Sequence, residues 1–221
     1  TRSIVIGKYN IDPKKVITVY NAVEPISSVD TEASREFAND KVVSFLGRIT
    51  MQKGPEYFVE AASLVLQKMK NVRFVMAGKG DLLNEMKQKV SALNISEHFH
   101  FPGFVADHEI AELFQKSDVF VMPSVSEPFG IVTLEAMQSG VPVVISKQSG
   151  VSEVVKNAMK VDYWDIQGMA DAIYAILINQ EYGIRLGRKG KKEADKLIWR
   201  KAASKVFKIY FNLLDDAERH N

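Results

Sequence analysis

The alternation of two kinds of segment constrains the fold of this chain more than any other feature. From residue 41 onward, apolar stretches of four to six residues alternate with longer stretches whose apolar residues have helical spacing. This rhythm predicts right-handed βαβ units and therefore a parallel, doubly wound α/β sheet of the Rossmann-like type. The strands are continuously apolar, which is typical of a sheet with both faces covered.

The individual elements follow from the same pattern. Strands are predicted over 42–46, 72–77, 98–101, 118–122 and 142–145, with a short sixth at 160–161. Helices are predicted over 55–69, 82–93, 107–115 and 130–138, and a helical tail over 165–217. Before them we expect the end of a helix, a turn at Asp12-Pro13 and a strand over 16–20. The polar composition of 21–40 indicates a hinge.

Composition removes several classes of function. The formal charge of the 221 residues is only +2, which gives no basic field for binding nucleic acid. With no cysteine, disulfides and thiolate chemistry are excluded, and the four histidines lack metal-ligand spacing. We find no signal peptide and no apolar run approaching the ~18 residues of a membrane span, so a cytoplasmic protein is expected.

Two predicted loops carry unusual residues. Gly47, Arg48 and Lys53 follow the first strand, and Glu127 and Gly130 follow the fourth. In the usual strand order 3-2-1-4-5-6, these loops are neighbours at the switch point, where such sheets bind ligands. Two cations and the start of a helix would converge on one crevice, which suits a diphosphate.

A second glutamate, Glu135, follows Glu127 by eight positions on the predicted helix. Eight helical residues span about 12 Å. Glycosidases need their carboxyl groups closer, about 5–5.5 Å apart for retention and about 6.5–9.5 Å for inversion. The spacing instead suits one carboxylate at a sugar and the other at a ribose.

Two further loops are weaker candidates. Gly78 opens a Gly-Lys-Gly turn after the second strand, which is either a tight βα turn or a ligand contact. The segment ending at Val105 after the third strand would either line a nucleobase or pack in the core.

Together these motifs resemble a known family over residues 41–180. They comprise Phe45-Leu-Gly-Arg48 with Lys53-Gly54, Gly78-Lys-Gly80, Phe101-Pro-Gly103, and Pro-Ser-x-x-Glu127-Pro-Phe-Gly130 with Glu135. The chain is similar to the group 1 retaining glycosyltransferases of the two-domain GT-B type, which include glycogen synthases. Two departures are Asn21-Ala-Val-Glu24, where Asn-Gly-Val-Asp is common, and Ser149-Gly150 in place of Gly-Gly.

The resemblance implies roles for most of the candidate residues. Arg48 and Lys53 would hold the diphosphate, and Glu127 would hold the sugar hydroxyls. The amides of Phe129 and Gly130 would assist Glu127, while amides near Ile131, together with Thr133, would cap the phosphates. Glu135 would bind the ribose hydroxyls. No metal or cofactor is expected, and the donor would be a UDP-, ADP- or GDP-sugar.

The resemblance also implies a division of the chain. Residues 1–40 would be the tail of a preceding domain and a hinge, 41–200 the donor-binding domain, and 201–221 a C-terminal helix. A glycan acceptor would bind through a missing N-terminal domain, so this chain alone would transfer little sugar. Two other interpretations stay open: a module that binds nucleotide sugars without catalysis, and a nucleotide-sugar epimerase of the same architecture.

Overall fold

The structure, a computed structural model, describes residues 2–25 and 40–219. Its six strands form one parallel sheet in the order β3-β2-β1-β4-β5-β6. The strands are β1 (Lys41–Leu46), β2 (Val72–Ala77), β3 (Phe99–Gly103), β4 (Val119–Met122), β5 (Val143–Ser146) and β6 (Met159–Val161). The doubly wound fold and its strand order are confirmed.

Eight α-helices surround this sheet in the described part of the chain. They are α1 (Arg2–Tyr9), α2 (Pro55–Lys68), α3 (Leu83–Ala92), α4 (Asp107–Lys116), α5 (Ile131–Gln138), α6 (Ile166–Ile178), α7 (Gln180–Ala194) and α8 (Trp199–Arg219). Within the described residues, none of them is both long and apolar enough to cross a membrane.

The two faces of the sheet carry separate apolar cores, because successive strand residues point to opposite faces. Val43 and Phe45 of β1 pack with α2, α3 and α6 on one face. Phe120 and Met122 of β4 pack with α4, α5 and α7 on the other. Burial on both faces explains the continuous apolar strands, and it leaves the carboxyl edge of the sheet as the place where loops are free to build a site.

The predicted strand over 16–20 is wrong. Residues 13–15 form a 3₁₀ turn, and 16–21 have no regular structure. The only bridge in this region of the described chain joins Val23 to Ile198. A strand needs a neighbouring edge to pair with, and none lies beside this segment in the described residues. Most of the predicted hinge, 26–39, lies outside the described residues.

The predicted helical tail is confirmed, and it consists of three successive helices. Asn179 ends α6, and its side chain accepts a hydrogen bond from the amide of Tyr182 at 2.9 Å, which starts α7. Residues 195–198 then separate α7 from α8. The first of these helices is part of the core, because Met169, Ile173 and Ile176 are buried.

Candidate functional site

The loops that follow β1 and β4 meet at the carboxyl edge of the sheet. The Lys53 ammonium forms an ion pair with a carboxylate oxygen of Glu127. Two backbone bonds hold the same loops together: the amides of Val125 and Ser126 donate to the carbonyl of Gln52, at 3.0 and 3.3 Å. Two groups that are 74 positions apart in sequence thus share one site, as the strand order predicts.

The turn that presents Lys53 depends on a glycine. Residues Met51–Lys53 form one 3₁₀ turn, and Gly54 follows in the left-handed region with φ of 63° before α2 begins. A Cβ on Gly54 would lie 2.3 Å from the carbonyl oxygen of Pro123, in the β4 loop. The absence of a side chain therefore lets the two loops approach closely enough for the Lys53–Glu127 pair.

Arg48 lies in the same β1 loop and is exposed. No acceptor within the described residues binds its guanidinium, which leaves its hydrogen-bond donors available to a ligand. The neighbouring loops are tightly apposed: a Cβ on Gly78 would lie 1.8 Å from the carbonyl oxygen of Gly47. Loop packing is therefore a sufficient reason for glycine at position 78, whether or not it touches a ligand.

The β4 loop ends at the N-terminus of α5. Gly130 takes the cap position with φ of 102°, and the amides of Gly130, Ile131 and Val132 find no acceptor in the described residues. Free amides at a helix start attract an anion, because the helix dipole adds to their partial charge. Phe129 lies next to them with its ring buried.

The expected phosphate contact of the Thr133 hydroxyl needs correction. Thr133 is fully buried, and its hydroxyl lies 3.3 Å from the sulfur of Met122 on β4. Its amide donates to the carbonyl of Gly130 at 3.1 Å. The side chain therefore faces the core and offers nothing to a ligand in this conformation.

The loop after β5 supports the Glu127 loop, which sequence reasoning did not predict. The amide of Gly150 donates to the Glu127 carbonyl at 3.0 Å, and the amide of Val151 donates to the Phe129 carbonyl at 2.7 Å. A Cβ on Gly150 would lie 2.1 Å from the Pro128 carbonyl oxygen. The second residue of the Ser149-Gly150 pair thus has a clear structural reason to be glycine.

Glu135 faces a cleft of about 680 Å³ on the α4–α5 side of the sheet. Burial, followed by the nearby charge of Asp107, raises the pKa of the Glu135 carboxyl. Other residues of the cleft are His108, Ala111 and Trp199. Their roles were not predicted, because α4 and the start of α8 meet α5 only through the tertiary fold. The cleft offers carboxylate acceptors beside apolar surface, which suits a ribose with its base.

Val105 is not brought together with Glu135. It lines a separate cavity of about 290 Å³ between α4 and the sheet, with Val42, Val75 and His100. In residues 2–25 and 40–219, no cluster of three or more acidic, histidine or cysteine side chains is placed to hold a metal ion. The chemistry of this edge is therefore that of two cations, free helix amides and two carboxylates, which suits a diphosphate flanked by hydroxyl-bearing groups.

A sequence model of the family "Glycosyl transferases group 1" matches residues 28–193. The chain belongs to the group 1 glycosyltransferases. Its similarity extends to an uncharacterized glycosyltransferase of Methanocaldococcus jannaschii, at 31% identity over 93% of this chain and 56% of that protein. A D-inositol 3-phosphate glycosyltransferase of Corynebacterium urealyticum is 30% identical over 81% of this chain and 46% of its own length. The chain thus spans about half the length of the curated relatives that it matches.

A solved structure shows which part of a glycosyltransferase this chain is similar to. The C-terminal domain of a group 1 family glycosyl transferase from Francisella tularensis aligns with a TM-score of 0.66 and 27% identity, over 71% of this chain and 85% of that domain. The resemblance seen in the sequence is therefore confirmed for the family, for the GT-B fold and for the C-terminal domain.

Proposed function

We propose that this glycosyltransferase chain is the donor-binding half of a retaining enzyme that moves a hexose from a nucleoside-diphosphate sugar to a glycan acceptor. The observation that carries the proposal is the meeting of Lys53 with Glu127, beside Arg48 and the free amides of α5. Two cations, the Lys53 ammonium and the Arg48 guanidinium, and a helix start would surround the diphosphate.

The proposed chemistry requires charge stabilisation at the leaving group. As the bond between the anomeric carbon and the diphosphate oxygen breaks, negative charge grows on the departing nucleoside diphosphate. Arg48 and Lys53 would stabilise that charge, and removing one preorganised donor of this kind typically costs about 2.7–4 kcal/mol of transition-state stabilisation. Glu127 would accept hydrogen bonds from the sugar, and Glu135 from the ribose.

The acceptor side of the reaction is also proposed. Transfer of glucose to an α-glucan is the form that the family resemblance favours, with a second domain supplying the acceptor site. The isolated chain would then bind donor but transfer little sugar. A nucleotide-sugar donor is also the reason for placing the reaction in the cytoplasm.

A calorimetric titration tests donor binding. UDP, ADP and GDP, each alone and as its glucose conjugate, are titrated into the wild-type chain and into Arg48→Ala and Glu135→Ala. UDP and UDP-glucose are titrated first, because the Anabaena protein HepE was solved with UDP and glucose. Its fold aligns with a TM-score of 0.73 and 24% identity, over 80% of this chain and 49% of HepE. We expect wild type to bind one nucleoside diphosphate and its glucose conjugate, and both variants to bind them more weakly. A wild-type chain that binds none of these ligands would contradict the proposal. An epimer formed without acceptor would support the epimerase instead.

A further inference from the structure

We infer that Tyr20 and Glu153 are positioning residues for the sugar-binding carboxylate Glu127, an inference that rests on the proposed function. Neither residue is among the candidate site residues predicted from the sequence. They act through the loop after β5, and the contacts that connect them run from the N-terminal segment to the β4 loop.

The first contact fixes Tyr20 on the β5 loop. Its hydroxyl donates to a carboxylate oxygen of Glu153 at 3.0 Å, and this bond is the main reason that the pKa of the Tyr20 phenol is raised. The Tyr20 ring also lies 6.2 Å from the ring of Phe129, centroid to centroid. One side chain therefore touches both the β4 and the β5 loop.

The second set of contacts leads from Glu153 to Glu127. Residues Gly150–Glu153 form a single 3₁₀ turn that ends at Glu153. The first two amides of that turn donate to the carbonyls of Glu127 and Phe129, at 3.0 and 2.7 Å. Because the turn is short, a movement of Glu153 shifts the amides that hold the Glu127 backbone.

The N-terminal segment is also anchored from the other side. The Lys205 ammonium on α8 donates to the carbonyl of Thr18 at 2.8 Å, and the amide of Val23 donates to the carbonyl of Leu197 at 3.0 Å. Ala22 and Val23 are buried. Tyr20 thus lies on a segment whose backbone is held by the C-terminal helix, so the position of its hydroxyl is constrained.

Close packing does not explain the arrangement. A cleft of about 460 Å³ lies between this segment and the two loops, with Val16, Ile17 and Tyr20 on one side and Phe129 and Gly150 on the other. Residues 16–21 form no strand, and the Tyr20 side chain connects them to the two loops through its ring contact with Phe129 and its hydrogen bond to Glu153. Loss of its hydroxyl should therefore alter the loop rather than the core.

The test compares Tyr20→Phe, Tyr20→Ala and Glu153→Gln with wild type, using the nucleoside diphosphate and its glucose conjugate that bind wild type in the titration above. Tyr20→Phe should weaken binding of the sugar conjugate by roughly two- to tenfold, the effect of losing one hydrogen bond. It should leave the affinity for the bare diphosphate unchanged. Tyr20→Ala should weaken binding of the sugar conjugate further. Glu153→Gln keeps an acceptor oxygen and should retain near-normal binding. Tyr9→Phe, at an exposed tyrosine of α1, is the matched control.

A second measurement needs no ligand. Amide hydrogen exchange on the free chain should show faster exchange at Gly150 and Val151 in Tyr20→Phe than in wild type or Tyr9→Phe. Unchanged exchange at both amides, or a Tyr20→Phe variant that weakens binding of the sugar conjugate no more than binding of the bare diphosphate, would overturn the inference. In that case the proposed function would stand, because wild type would still bind the donor. If wild type binds no nucleotide, both fall.

Discussion

Lys53 and Glu127 neutralise each other across the crevice in which we place the donor. Their side chains are only 22% and 10% exposed, so each charge is partly removed from water and depends on the other. In the proposed complex, Lys53 turns to the diphosphate and Glu127 to the sugar. The donor would therefore replace an internal ion pair with two charge-assisted contacts of its own.

The Lys53–Glu127 ion pair predicts that single and double variants lose stability non-additively. Lys53→Ala or Glu127→Ala alone should each lower the free energy of unfolding by about 1–3 kcal/mol, because the remaining charge is left partly buried without a partner. The double variant should lose less than the sum of the two. Urea unfolding of all four proteins measures this. Additive losses would mean that the pair is not formed. The control is Lys147→Ala in the exposed Lys147–Asp162 pair, which should lower the free energy of unfolding by less than either single change.

Glu135 predicts a dependence of stability on pH. Its raised pKa means that the folded state resists ionisation more than the unfolded chain does, so stability is lost as pH rises through the raised value. Glu135→Gln removes this penalty. Its melting temperature should exceed that of wild type by a few degrees at pH 8, and the difference should shrink toward pH 4, where the carboxyl is protonated.

The control for Glu135 is Glu112, a carboxyl whose pKa is shifted in the opposite direction. Hydrogen bonding to Lys116 lowers the pKa of the exposed Glu112 on α4, so Glu112→Gln should give no stabilisation at pH 8. Thermal unfolding of both variants at the two pH values distinguishes them. A gain for Glu135→Gln that is equal at pH 4 and pH 8 would contradict the assigned cause.

Gly54 predicts a clash beyond ordinary backbone strain. Gly54→Ala should destabilise the chain and weaken donor binding, because the new Cβ meets the Pro123 carbonyl and pushes the Lys53 turn from Glu127. Gly140→Ala is matched, since Gly140 has φ of 79° but no atom within 4 Å of its Cβ position. It should lose only the left-handed strain, about 1 kcal/mol, and bind donor normally. Equal losses in the two variants would show that the loop contact is unimportant.

Trp199 predicts an optical signal for the nucleotide. It is 40% exposed and lines the cleft that Glu135 faces. A nucleotide in that cleft should quench its emission. The chain has two tryptophans, so Trp199→Phe should abolish the change and Trp164→Phe should preserve it. A signal that survives Trp199→Phe would place the nucleotide elsewhere.

The sequence predicted the parts of this fold that depend on local pattern. Continuous apolar strands and helical spacing define the βαβ order, and that order makes the loops of Lys53 and Glu127 neighbours. Val16 to Tyr20 has the same apolar pattern as a strand, yet pattern carries no information on whether a neighbouring edge exists. The neighbours of Glu135 could not be predicted from the sequence either, because Asp107 and Trp199 approach it only through the packing of α4 and α8.

Thr133 shows a different limit. Its position in the first turn of α5 fits a phosphate cap by spacing, but the orientation of the helix turns its hydroxyl toward Met122. Spacing along a helix predicts which residues share a face, whereas the direction of that face follows from the packed core. The same limit applies to Val105, whose side chain lies at a different cavity from Glu135.

The most direct test of the central claim is a crystal structure of the chain with the nucleoside diphosphate that binds it. The account predicts that the two phosphates lie between Arg48 and Lys53 of the β1 loop and the first amides of α5, with the ribose at Glu135. A diphosphate bound at any other place on the chain, with the Lys53–Glu127 pair still intact, would contradict it.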